Sequence, residues 1–300
     1  MSSEIGKEKA YAFDDDEQFI IVRRSRRKSW RQSRGKGEKI TTISYLEDQV
    51  SVERIDRVIK NACSSIELIK YSQQIIALLL KSLSGRKLSC IWALGLGPFS
   101  RSYHPGCDQL AVLLELKHHF GCEVYFQEPR LTEMEKRWLC DHAICLSETN
   151  DLLKCRISDD DVDKENIVLF YAPHCGHAIY NSVIYAHRKK LKRIIIAGNN
   201  LHSMDLAAKD LRKYEKTALG FKGRAVRKCS GTDLEMSDCS ELKALSLYSK
   251  VCTLLEFPTF KSNFAVFNDT ALHFLSQNTP QPEICETEPK YQFFRHEIVI

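Results

Sequence analysis

LSCIWALGLGPFSRSYHPGCDQLA, residues Leu88–Ala111, decides the fold. Seven apolar or small residues, Leu88–Leu94, run into Gly95-Leu96-Gly97, and a polar loop then leads to a new apolar-periodic segment from Gln109. A short apolar run closed by two glycines is the pattern of a buried strand ending in a tight turn. Strand, glycine turn and helix open a βαβ unit, and nucleotide-like ligands often sit at such turns.

The same alternation extends outward on both sides. Upstream, Ile55, Val58, Ile59, Ala62, Ile66 and Ile69 recur at helical spacing, and a second apolar stretch over Ile75–Leu83 ends at Ser84-Gly85. One or two long helices are predicted there. Downstream, a helix over about Asp108–Phe120 is followed by a strand over Glu123–Phe126, closed by Gln127-Glu128-Pro129. Thr132 caps a third helix, with Glu135 completing a capping box, before a short strand at Ala143–Leu146. Ile167–Tyr171 reads as a fourth strand that ends in Pro173-His174-Cys175-Gly176-His177 and leads into another helix. Arg193–Ala197 reads as a fifth, closed by Gly198-Asn199-Asn200. Lys250–Leu255 reads as a last central strand, and Asn263–Leu275 as a strand or turn leading into a short helix that Asp269 or Thr270 would cap.

Strands alternating with helices of this length predict an α/β protein with a Rossmann-like, doubly wound, mostly parallel sheet, preceded by N-terminal helices and a basic disordered tail. Residues 1–45 form the tail and 46–275 a single domain with a loop-rich insertion at 214–249. Residues 276–300, rich in proline and polar residues, are expected to be a weakly ordered C-terminal tail. Right-handed crossovers would put every strand's carboxyl end on one edge.

Charge is concentrated at the start. Residues 1–40 carry eleven Lys/Arg and seven Asp/Glu, whereas the rest carries 33 and 32. Arg23–Lys39 holds nine basic residues against one acid, too charged to pack a core. It reads as a nuclear-localisation signal or nucleic-acid contact on one side, and as a solubilising tail on the other. With 43% hydrophobic residues the remainder can build a core. The longest aliphatic run, Ile75–Leu80, is too short to span a bilayer, so no membrane contact is expected. The charged N-terminus has no apolar signal segment, which implies a reducing compartment. The twelve cysteines include no CxxC pair and are read mostly as small buried hydrophobes.

Four polar clusters directly follow strands, and in an open α/β sheet the ligand crevice lies outside those ends. The candidate ligand-binding residues are therefore Gly95, Gly97, Glu128, His174, Cys175, Asn199 and Asn200. The same glycines and asparagines also serve as ordinary turn residues, since both tolerate positive φ. The turn itself departs from a dinucleotide fingerprint. Ser100 stands where the third glycine belongs, and Glu128 lies 31 residues beyond Gly97, where about 20 would be usual. Cys175 at a helix N-terminus beside His174 and His177 has the setting of an activated thiol, yet no arginine follows to build an anion loop. His104 and Cys107 could join these residues around a metal, but the spacing matches no zinc motif, so no metal is assigned. No cofactor is assigned either.

These clusters together resemble the Sensitivity-to-Red-light-Reduced-like family. The matching stretches are GLGPFS at Gly95–Ser100, QLAVLLEL at Gln109–Leu116, YFQEPRLTEMEKRWL at Tyr125–Leu139, YAPHCGHAIYNSVI at Tyr171–Ile184, IIIAGNN at Ile194–Asn200 and FNDTALHF at Phe267–Phe274. They span roughly residues 88–275. Family members usually carry aspartate where this chain has Glu128, and often GNS where it has Gly198-Asn199-Asn200. The resemblance implies an intracellular regulator, cytoplasmic and nuclear, with regulatory protein partners. Roles in a circadian-clock input pathway and in control of haem biosynthesis follow from it, and it supplies no catalytic residues. A small molecule bound along the strand-end rim is the expected mode of action. An uncharacterised nucleotide- or adenosyl-methionine-dependent transferase using the same rim is the alternative.

Overall fold

The computed structural model describes residues 50–147, 166–203 and 241–291. The basic tail, most of the 214–249 insertion and the polar stretch 148–165 lie outside the described residues. Two helices come first, α1 (Val52–Cys63) and α2 (Ile66–Leu83). Ser51 and Ser65 open them, each hydroxyl accepting an amide N–H from its helix's first turn, at 3.2 Å from Arg54 and 3.4 Å from Leu68. Strand β1 (Leu88–Leu94), helix α3 (Pro105–Phe120), β2 (Glu123–Gln127), α4 (Glu133–Asp141) and β3 (Cys145–Leu146) follow. Helix α3 starts earlier than the expected Asp108, because Pro105 is a good first helical residue whose missing N–H would be unpaired anyway. Next come β4 (Ile167–Ala172), α5 (His177–Ala186), β5 (Ile194–Asn199), α6 (Lys243–Ser249), β6 (Thr253–Glu256) and β7 (Thr270–Phe274).

The seven strands form one sheet in the order β3-β2-β1-β4-β5-β7-β6. Pairing is parallel from β3 through β5, and β7 runs antiparallel to both β5 and β6. The α/β class and mostly parallel sheet expected from the sequence hold. Alternation within the strands divides the core between the two faces. Ile167, Leu169 and Tyr171 of β4 with Ile195 and Ala197 of β5 face α1, α2, α3 and α4. Val168, Phe170 and Ala172 with Ile194 and Ile196 face α5 and α6. The central strands are buried on both faces, hence their unbroken apolar runs.

Two expectations are corrected at the end of the sheet. Thr253–Glu256 is an edge strand, because β7 lies between it and β5. The segment after Asn263 forms a short 3₁₀ turn at Phe264–Val266 and then strand β7, where a helix was expected. All five β7 residues are buried, so the run shows neither helical nor strand alternation. Reversal of β7 also amends the picture of a rim built only from carboxyl ends. Thr270, its first residue, pairs with Asn199, the last of β5, which brings Asn268 and Asp269 to the same edge.

The cysteines are less uniformly buried than expected. Of the nine described, only Cys107, Cys175 and Cys252 are buried. Among the described residues no helix is long and apolar enough to cross a membrane.

Residues 276–291, read as a weakly ordered tail, run back over α5 in an anchored strap. The Tyr291 hydroxyl accepts an N–H from Asn181 at 2.8 Å and donates to the Ala178 carbonyl at 3.1 Å, with the Ser182 hydroxyl at 2.8 Å. Arg188 and Lys189 pair with Glu286 on the surface. Exposed pairs of this kind contribute about 0–1 kcal/mol, whereas a part-buried hydroxyl bound by three groups contributes more. Tyr291→Phe is therefore expected to lower stability by about 1–3 kcal/mol in a urea titration. Glu286→Gln should cost less, and the reverse ranking would show that the ion pairs hold the strap.

Candidate functional site

All seven candidate residues lie at one edge of the sheet, and most are bonded to one another. At the end of β1, the Gly95 N–H donates to the Gln127 carbonyl at 3.0 Å. Gly95 has φ +62°, and a Cβ there would lie 2.8 Å from the Cys175 sulfur. Gly97 has φ +72° but open space around it. Its N–H donates to Glu128 Oε2 at 2.9 Å, while Glu128 Oε1 accepts the Arg130 N–H at 2.9 Å.

A second carboxylate completes this arrangement. Glu135 is fully buried. Its Oε1 accepts the N–H groups of Phe99 at 2.9 Å and Ser100 at 3.0 Å, and its Oε2 accepts the N–H and hydroxyl of Thr132, both at 2.9 Å. The amides of Gly97, Phe99 and Ser100 are thus already held by carboxylates. A phosphate-binding turn needs such amides free and aimed at the ligand. Here an incoming anion would meet two negative charges.

Around β4 and β5 the organiser is Asn199. Its Oδ1 accepts the His174 N–H at 2.8 Å, and its Nδ2 donates to the Cys175 carbonyl at 3.2 Å. Its own N–H donates to the Tyr180 hydroxyl at 2.9 Å, which donates to the Ala172 carbonyl at 2.6 Å. These bonds hold His174 at φ +60°, a left-handed conformation uncommon outside glycine. The His174 ring donates from Nε2 to the Val266 carbonyl at 2.9 Å. Cys175 is 6% exposed, and its thiol lies 3.2 Å from the Leu94 carbonyl. The sulfur lies beside Leu94 and Gly95 at the ends of β1 and β4, where the strand order reverses.

Asn200 faces a different neighbourhood. Its N–H donates to the Asp269 carbonyl at 2.7 Å, its Oδ1 accepts the N–H of His202 at 3.0 Å, and its Nδ2 lies 3.4 Å from Glu256 Oε1. Asp269 has φ +55°, and the Ser203 hydroxyl lies 3.1 and 3.2 Å from its two carboxylate oxygens. Asn200, Glu256 and Asp269 border a cleft of about 190 Å³ walled by Phe257, Phe260, Phe264 and Phe267. A larger cavity of about 400 Å³ lies under the C-terminal strap, beside Asn181, Tyr185 and Lys243, and includes no strand-end residue.

Below the cleft, buried His273 donates from Nε2 to the Asn199 carbonyl at 3.0 Å, leaving Nδ1 toward the Cys252 sulfur at 3.9 Å. Burial pushes the His273 pKa down to about 4 and the Cys252 thiol up to about 12. Cys107 is likewise pushed up to about 12 by burial. Among the described residues no three His, Cys, Asp or Glu side chains are placed to hold a metal ion.

Three residues of this edge escaped the sequence reading. Glu135 was legible as a capping box, and both halves of the box form, but its reach to Phe99 and Ser100 had no local signal. Glu256 and Asp269 were hidden by the misread end of the sheet.

The family model for the SRR1 domain matches residues 61–274. The chain belongs to the SRR1 family. Its SRR1 domain takes in the end of α1 and all of α2, upstream of the stretches that carried the resemblance. An SRR1-like protein of Drosophila melanogaster is 25% identical over 229 residues, covering 73% of this chain and 76% of that protein.

Three outcomes are expected for the SRR1 domain. Gly95→Ala combines left-handed strain with a sulfur clash and should cost about 2–4 kcal/mol, against about 1–2 for Gly97→Ala, which adds strain alone. Comparable losses in thermal unfolding would discount the Cys175 contact. Glu135→Gln places an amide donor among donors and should cost about 2–4 kcal/mol; a stability unchanged within error would show the carboxylate to be dispensable. His273 stays neutral in the fold while the unfolded chain binds a proton from about pH 6.5 downward. Stability should therefore fall as pH drops from about 6.5 to 4, by up to about 3 kcal/mol from this group. Urea titrations at both ends of that window should show a smaller fall for His273→Gln, and equal falls would remove His273 from the acid response.

Proposed function

We propose that this SRR1-family protein is an intracellular regulator that recognises a small molecule at the β5-β7-β6 end of the strand-end rim. The cleft beside Asn200 carries this reading: it has polar groups at its border, apolar walls and room for a ligand. It is also where two stretches of the family resemblance meet, Ile194–Asn200 and Phe267–Phe274. Gly95, Gly97, Glu128, His174, Cys175 and Asn199 then act as the frame that sets Asn200 in place. Input to a circadian clock and control of haem biosynthesis are the regulatory settings that the family resemblance suggests. Regulatory protein partners would read the ligand-bound state. The Arg23–Lys39 segment directs the protein to the nucleus or contacts nucleic acid.

The alternative is a nucleotide- or adenosyl-methionine-dependent transferase. In its favour, the strand order reverses between β1 and β4. Against it, the Gly97, Phe99 and Ser100 amides are occupied. The Asn200 cleft is itself smaller than the roughly 300–1,000 Å³ of sites for larger ligands.

Thermal-shift and native mass-spectrometry screening of the full chain separates the two. Small ligands are expected to stabilise the protein, and that gain should be lost in Asn200→Ala. Stabilisation by nucleotides or adenosyl-methionine that survives Asn200→Ala would favour the transferase. For the tail, a fluorescent fusion lacking Arg23–Lys39 should lose nuclear accumulation, and an unchanged distribution would remove that role.

A further inference from the structure

The Asn200 cleft has a chemistry that narrows its ligand. Its volume of about 190 Å³ corresponds to roughly six water volumes, enough for a compact group of a few heavy atoms. Two carboxylates, Glu256 and Asp269, border it. Among the described residues neither forms an ion pair with Lys, Arg or His. The polar contacts that Glu256 and Asp269 do make are weak or shared. Glu256 Oε1 lies 3.4 Å from Asn200 Nδ2, and the two Asp269 oxygens, at 3.1 and 3.2 Å, compete with the Asn200 carbonyl, at 2.9 Å, for the single Ser203 hydroxyl proton.

The rest of the wall is aromatic. Phe267 is buried, whereas Phe264 is 66% exposed. Ring faces carry negative charge density and attract cations, most strongly when water is displaced. Carboxylates at the border and phenylalanine rings along the wall therefore favour the same kind of ligand. An anion would meet two like charges, and a neutral ligand would gain hydrogen bonds from the carboxylates but no charge pairing and no attraction to the rings. A bare divalent ion would use the carboxylates but not the rings.

We propose that the cleft binds a small organic cation, an ammonium or guanidinium group on a short apolar stem. This rests on the reading above that the cleft is a ligand site and names the class of ligand. Glu256 and Asp269 supply the charge, and Phe264 and Phe257 cover the stem. The exposed Phe264 ring is accounted for as a cover that gains its partner on binding.

The test uses the full-length protein with choline and agmatine as cationic probes and 3,3-dimethylbutan-1-ol as the neutral isostere of choline. Binding is followed by calorimetry and by amide NMR shifts of Asn268, Asp269 and Thr270. At least one cation is expected to move those three amides and to bind about tenfold more tightly than the isostere. Asp269→Asn, which still tolerates the left-handed backbone, and Glu256→Gln should each weaken the cation several-fold and leave the isostere unchanged. Equal binding of choline and its isostere, or stronger shifts from calcium chloride, would overturn the cation assignment. If a neutral or anionic compound from the wider screen moves those amides and no cation does, the class fails while the site reading survives. If no compound of any class moves them, both fail.

Discussion

Glu135 holds the structure's candidate edge together. A buried carboxylate must be matched by donors, and four converge on it: two from the loop after β1 and two from the Thr132 cap of α4. The same group therefore starts a helix and fixes a loop about 35 residues earlier in the chain. Glu128 repeats the device one step away, tying Gly97 to the end of β2. Once these bonds form, the glycine turn is no longer a place where phosphate can dock. The turn resembles a nucleotide site in outline, but its chemistry is already satisfied from within.

A second organising centre is Asn199, which joins the β4–α5 corner, Tyr180 and β5 through its side chain and N–H. Its carbonyl receives the neutral His273 ring from β7. Between the two centres, Cys175 packs against Gly95 at the reversal point of the sheet. What stays open is the far end of the edge, where β7 enters in reverse. That reversal sets Asp269 opposite Asn200 and beside Glu256, and it turns a strand beginning into part of the rim. The edge thus combines a hydrogen-bonded frame on one side with a small aromatic cleft on the other.

Much of this was legible in the sequence because the signals are local. Leu88–Leu94, Ile167–Tyr171 and, after its first residue, Arg193–Ala197 are apolar runs closed by turn residues, and Thr132 with Glu135 is a capping box. The convergence of Gly97, Glu128, His174 and Asn199 followed from parallel strands ending on one edge. What they do there did not follow, because the hydrogen bonds between them link residues 25 to 31 positions apart with no local pattern. Thr270–Phe274 was misread because a strand buried on both faces loses its alternation, and Asn268-Asp269-Thr270 before it looks like a helix cap. That error concealed Asp269, and reading Lys250–Leu255 as a central strand kept Glu256 apart from it. The basic run Arg23–Lys39 lies outside the described residues, so its role rests on composition alone.

The central claim is that the loop after β1 is held by carboxylates and is not poised for an anion. Amide hydrogen exchange of Gly97, Phe99 and Ser100 tests it most directly. Charge-assisted hydrogen bonds of this kind should slow exchange at all three by about ten- to a hundredfold relative to an open loop. Exchange at Phe99 and Ser100 should return toward the open-loop rate in Glu135→Gln. Rapid exchange at these amides in the wild-type protein, quenched on adding inorganic phosphate, would contradict the account and restore the turn as an anion site.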